Sequence, residues 1–214
     1  LNESLEYYRR HLPHYQPGNA IYFVTFRLAD SLPKAVLDKI KDEYSHQYRL
    51  AQRMPDKLDR EKRIIDLKKK RFGNIDKFLD RCGSGPLWLR EDRIAEIVQE
   101  AIQYRDGKEF DVHAYCIMPN HVHIVFAPIG SGRRISSPYI VTDILENLKW
   151  FTAKESNAIL GRKGKFWQHE SYDHVVRDEK EYFRVIQYVL NNPVKAGLVS
   201  EWRDWKWSYS KYPI

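Results

Sequence analysis

Two runs of β-forming residues, 109–118 (EFDVHAYCIM) and 121–127 (HVHIVFA), are separated only by Pro119-Asn120. A Pro-Asn pair interrupts an extended run and favours a turn. Two residues are also too few for the crossover that parallel strands require, so the runs must pair as an antiparallel hairpin. Whatever else the chain does, it is built around that hairpin. Residues 20–28 (AIYFVTFRL), rich in aromatic and β-branched side chains, give a further strand, opened by Gly18 and Asn19. Strand-like segments also fall within 166–177, ending in His174-Val175-Val176-Arg177.

Helical spacing fills the intervals. Residues 91–104 carry Ile94, Ile97, Val98, Ala101 and Ile102 on one stripe, and 142–158 carry Ile144, Leu145, Leu148 and Phe151. Asp178 caps a helix of about 179–190, which Pro193 stops. Residues 128–138, with two Gly, two Pro and three Ser, read as a loop. This order of strands and helices predicts an α+β fold: an antiparallel sheet with flanking helices, related to the ferredoxin-like arrangement. With 214 residues and no repeat or linker, one domain spanning 1–214 is expected.

Charge is unevenly distributed. The chain carries +7, and thirteen Lys+Arg against seven Asp+Glu lie within 34–72, leaving 23 and 22 elsewhere. That stretch, broken by Pro55, reads as a basic helical hairpin of roughly 34–53 and 56–72 inserted after the first strand, followed by a short helical piece around 75–81 and a turn at Gly83-Ser84-Gly85-Pro86. It is either a solvated face or a clamp on a phosphate backbone, with Lys68, Lys69, Lys70 and Arg71 the strongest candidates. A composition of 43% hydrophobic and 30% charged residues excludes a disordered tail, and no apolar run approaches a membrane span. Two cysteines, Cys82 and Cys116, make no disulfide framework. A cytoplasmic protein with no membrane partner is expected.

His121 and His123 are two apart on a strand, so both imidazoles face one side while Val122 and Ile124 face the other. Such a pair can ligate one metal ion, or it can simply occupy the wetter side of a sheet. Tyr188 and Asn192 are four apart, about one helical turn.

Together these segments resemble the REP-associated tyrosine transposases, of the single-tyrosine HUH superfamily. The blocks that carry the resemblance are Ala114–Val125 (AYCIMPNHVHIV) and Tyr188 through Asn192-Pro193-Val194-Lys195-Ala196-Gly197-Leu198-Val199. Tyr8–His14, Tyr22–Arg27, Gly83–Leu89, Lys165–Gln168, Tyr172–Arg177 and Trp207-Ser208 extend it over most of the chain. The resemblance implies an HUH nuclease fold, His121 and His123 as metal ligands and Tyr188 as nucleophile. Asn192 then sits where the third, amide ligand lies, with Gln187 and Asn191 as neighbouring alternatives. The segment 34–72 departs from the common pattern.

The implied chemistry is cleavage of single-stranded DNA beside REP-like hairpins with Mg²⁺ or Mn²⁺, through a 5′-phosphotyrosine whose conserved bond energy permits strand transfer. The partner is then hairpin-bearing single-stranded DNA in a bacterial, nucleoid-associated setting, and the protein is a monomer or homodimer. Candidate DNA contacts are Arg162, Lys163 and Lys165 in a basic glycine turn, with Trp167 as a stacking platform or a core residue. His174 and Arg177 are candidates for phosphate contacts or a salt bridge, and Arg27 and Lys195 fall inside the resembling blocks. Two other readings remain open. In a zinc hydrolase, His113 or His174 joins the pair and a water replaces the tyrosine. In an RRM-like binder, the sheet presents aromatics to a single strand without chemistry. Removing 34–72 or neutralising Lys68–Arg71 is expected to weaken DNA binding and its salt dependence while sparing chemistry on short substrates.

Overall fold

The structure, a computed structural model, describes residues 7–9, 13–15, 20–129 and 140–213. Most of the loop expected at 128–138 lies outside them, as do Arg10, His11 and Leu12 of the N-terminal block. β1 (Tyr7–Arg9) and β2 (Pro13–Tyr15) form a small antiparallel ribbon. β3 (Ile21–Arg27), β4 (Phe110–Ile117), β5 (His121–Pro128), β6 (Tyr172–Val176) and β7 (Ser208–Ser210) form one sheet in the order β6-β3-β5-β4-β7, every neighbour antiparallel. The hairpin about Pro119-Asn120 is β4–β5, at the centre of this sheet.

Alternation along β3 and β5 sorts side chains into two layers. Tyr22, Val24 and Phe26 with Val122, Ile124 and Phe126 enter the larger core, against α3 (Asp92–Arg105) and α4 (Ile140–Ile159). Phe23 and Val125 face the other way, onto Ile186, Val189 and Leu190 of α5 (Glu179–Leu190). A bulge at His113 shifts the phase of β4, so that Ala114 and Cys116 join the α5 layer while Tyr115 and Ile117 enter the larger core. Asp178 caps α5, its carboxylate accepting from the Glu181 amide at 2.8 Å. Pro193 does not end the helical path. It sits in the first turn of the short α6 (Asn192–Lys195), where its missing N–H costs nothing.

The charged segment is a helical hairpin, α1 (Lys34–Gln52) and α2 (Lys57–Asp80), and α2 overruns the expected end at 72 by eight residues. It passes straight through Gly73, where an added Cβ would touch nothing within 4 Å. A mid-helix glycine costs only about 1 kcal/mol, which burial of Leu67 and Leu79 on either side of it outweighs. The helical piece expected at 75–81 is therefore the end of α2. Gly85 does have a backbone role: at φ +74° its absent Cβ would lie 2.2 Å from the Asp30 carbonyl, letting the loop after α2 run against the end of β3. No helix among the described residues is long and apolar enough to cross a membrane.

Candidate metal and nucleophile centre

β5 brings His121 and His123 to the same face, opposite Arg27 and Thr25 of β3, and both are fully buried beneath α5 and the end of α2. They are therefore not on a wet side of the sheet. Asn120 Oδ1 lies 2.7 Å from His121 Nδ1, and since an amide oxygen only accepts, that nitrogen carries the proton. His121 Nε2 then presents a lone pair, 3.0 Å from His123 Nε2. Thr25 Oγ1 holds His123 Nδ1 at 2.7 Å. Burial holds the pKa of His121 down to about 3 and that of His123 well below its usual range, so both rings are neutral, the form that binds metal.

Asp76 and Asp80 of α2 complete the cluster. Asp76 Oδ1 is 3.4 Å from His123 Nε2 and Asp80 Oδ1 is 3.9 Å from His121 Nε2; one ligand atom from each of the four side chains falls within 4.8 Å of every other. Burial first, then Asp80, raises Asp76 to about 8; burial raises Asp80 to about 6, with Lys195 opposing both shifts. Neither Oδ1 has a hydrogen-bond partner. Buried, neutral imidazoles beside unsatisfied carboxylate oxygens are a donor set suited to a divalent cation, and mixed N/O ligation suits Mn²⁺ or Zn²⁺ better than Mg²⁺.

Tyr188 stands at this cluster. Its ring lies 5.6 Å from that of His123, and its hydroxyl donates to Asp76 Oδ2. Lys195 Nζ covers the same ring at 4.1 Å. Asn192, one turn on, is fully buried with neither amide atom hydrogen-bonded, whereas Gln187 and Asn191 are exposed. The structure thus brings together His121, His123, Tyr188 and Lys195, and adds Thr25, Asn120, Asp76 and Asp80, which the sequence reading missed. A signal was present for the carboxylates: Phe72, Ile75 and Leu79 keep helical spacing past Gly73, and Asp76 lies on that apolar stripe.

The other candidates scatter. Trp167 is buried edge-on to Phe26 at 4.8 Å, with Nε1 donating to Thr152 Oγ1 at 2.9 Å; a ring packed in the core offers no face for a base, so the stacking role is withdrawn. Arg177 makes a two-point pair with Glu181, both contacts 2.9 Å, and His174 and Lys69 meet the same carboxylate at 3.0 and 3.3 Å, the salt-bridge alternative. Lys70 pairs with Glu43 at 3.2 Å and Arg71 lies over Tyr44. The Arg162 guanidinium covers Trp88 at 3.9 Å, while Lys163 and Lys165 are exposed. Arg27 donates to Ser31 at 3.0 Å. The third histidine of a zinc hydrolase is not supplied: His113 Nδ1 is 2.9 Å from the Tyr182 hydroxyl and His174 is committed to Glu181.

No family model matches the chain. It is 29% identical over 102 residues to a Haemophilus influenzae protein provisionally named a REP-associated tyrosine transposase, covering 46% of this chain and 58% of that one. It is 24% identical over 107 residues to the REP-associated tyrosine transposase of Escherichia coli K12, covering 50% and 58%. The chain thus spans under two thirds of the length of these curated relatives. The fold is that of a REP-associated tyrosine transposase solved with a bound REP hairpin, with a TM-score of 0.50 at 18% identity over 94% of this chain and 80% of that one. In sequence over about half its length, and in its five-stranded antiparallel sheet with flanking helices, the chain is a relative of the REP-associated tyrosine transposases.

Proposed function

We propose that the protein is a transposase that nicks and rejoins single-stranded DNA beside REP-like hairpins, with Tyr188 as nucleophile. The observation that carries this reading is the convergence of three groups: two neutral, buried imidazoles with facing Nε2 atoms, a carboxylate 3.4 Å from one of them, and a tyrosine hydroxyl donating to that carboxylate. The named relatives and the solved transposase–hairpin complex supply the choice of substrate.

His121 and His123, with Asp76 and either Asp80 or Asn192, would hold a divalent cation. When bound, such an ion supplies Lewis-acid stabilisation of charge on the phosphodiester oxygens. The chain's own residues do the rest. Thr25 and Asn120 fix the two rings through their Nδ1 atoms. Asp76, which would be ionised with a cation held beside it, orients the phenol and accepts its proton as Tyr188 Oη bonds to phosphorus; the P–O3′ bond breaks and the departing 3′ oxygen takes a proton from solvent. Lys195, over the ring, favours the developing phenolate. Reversal by another 3′-hydroxyl restores the phosphodiester and returns the proton to Tyr188.

The test is covalent capture. Wild type with Mn²⁺ and a labelled hairpin carrying single-stranded flanks should give a protein–DNA adduct that survives denaturation. Tyr188→Phe should give none, and His123→Ala should lower the rate by at least ~10²-fold. An adduct that persists in Tyr188→Phe removes the nucleophile assignment.

A further inference from the structure

Between the helical hairpin and the β3–β6 edge of the sheet lies a groove of about 390 Å³, within the range of a pocket for one small ligand. It reaches the His pair from behind: Thr25, which holds His123 Nδ1, lines it, and so do Phe72 and Leu79, which flank Asp76 on α2. Phe72 and Tyr172 stack at 3.9 Å and form its inner wall. On the outer wall the Arg71 guanidinium lies 4.9 Å from the centre of the Tyr44 ring, and Arg71 Nε is buried without a hydrogen-bond partner. Arg27, Lys41, Lys68 and Arg71 face Asp38, Glu170 and Asp173, four cations against three carboxylates, leaving one net positive charge. That balance suits a single phosphodiester and would not attract a long run of backbone.

We infer that this groove is a subsite for one unpaired nucleotide next to the scissile phosphate. Its base lies against Tyr44 and Tyr172 and its phosphate on Arg71, with Lys41 and Lys68 at the rim. The inference rests on the proposed function, because position relative to the scissile bond has meaning only if the His pair handles that bond. Aromatic walls account for base binding, the single net charge for a lone phosphate, and the shared Thr25 for adjacency to the reacting centre. A purely electrostatic clamp would need none of the three aromatics.

The experiment measures binding by fluorescence anisotropy in Tyr188→Phe protein, using the hairpin with a single-stranded flank in which each nucleotide in turn is made abasic. One flank position should weaken binding about tenfold, since stacking on an aromatic is worth roughly 1–3 kcal/mol per base. Adding Tyr44→Ala should abolish the penalty at that position alone. Lys41 is exposed, so Lys41→Ala leaves the fold undisturbed and should weaken binding of every strand a few-fold. The subsite is overturned if all abasic positions behave alike, or if Tyr44→Ala weakens every strand equally. Adduct formation by wild type without positional coupling sinks the subsite and leaves the function standing; coupling without any adduct keeps the groove as a nucleotide site but removes both the function and the groove's assignment beside a scissile phosphate.

Discussion

Asp76 carries three demands on one carboxylate: it is buried, it faces a second acid, and it accepts the Tyr188 hydroxyl while facing His123. Its pKa of about 8 means that the folded, metal-free protein keeps a proton that the unfolded chain has already released. A carboxyl raised in the folded state contributes most stability at low pH and loses it as pH climbs towards the folded pKa. His121 and His123, depressed in the folded state, act in the opposite sense, but their unfolded forms have mostly titrated above about pH 7. In chelator, stability should therefore fall by on the order of 1 kcal/mol between about pH 7 and 8. Asp76→Asn should flatten that slope and Mn²⁺ should reverse it, both read from denaturant midpoints. An unchanged slope in Asp76→Asn would contradict the assignment. At this scale the sequence was legible where a motif concentrates the chemistry, as in His121, His123 and Tyr188. Thr25 and Asn120 were not, because a threonine on a strand and an asparagine in a turn have ordinary structural reasons to be there.

Among the elements, α2 decides most. Gly73 and the end of the basic run made 72 a natural stop by local propensity, yet the helix continues because Leu79 gains full burial and the loop after it can turn tightly at Gly85. Propensity differences near 1 kcal/mol lose to core burial worth two or three times as much. Leu79→Ala should cost roughly 2–4 kcal/mol in chemical denaturation and, by loosening the turn that carries Asp76 and Asp80, should weaken Mn²⁺ binding as well. Gly85→Ala should destabilise by more than ~2 kcal/mol, since it combines a left-handed φ with a backbone clash. The β4–β5 hairpin, by contrast, was fixed by Pro119-Asn120 and the runs beside it. The bulge at His113 was not visible, because nothing in its own residue type marks an extra position in a strand.

Over the whole molecule, the basic hairpin is tied to the body and supplies Asp76 and Asp80 to the histidine cluster. Lys69 meets Glu181 of α5, and Phe72 packs edge-on to Phe23 at 5.5 Å. Deleting 34–72 would remove Phe72 from its ring cluster and sever Asp76 and Asp80 from the helix that aims them, so chemistry on short substrates should fall along with binding. The net charge is also partly committed internally. Neutralising Lys68 and Arg71, which line the groove, should together reduce the salt slope of strand binding by about 0.7, the value for the one phosphate the groove would hold. Neutralising Lys69 and Lys70, which pair with Glu181 and Glu43 and do not line the groove, should change it little. Both histidines are fully buried beneath α5 and the end of α2, so a phosphodiester should reach them only when one of these elements shifts; if it is α2, DNA should raise hydrogen exchange at 72–80. That helix has 24 residues and is about 36 Å long, with Leu67 packed near its middle. A rod pivoted at its centre moves both ends together in opposite directions. A fluorophore at exposed Asp56 should therefore swing when the site opens if α2 tips as a rod, and stay still if only its last turns give way.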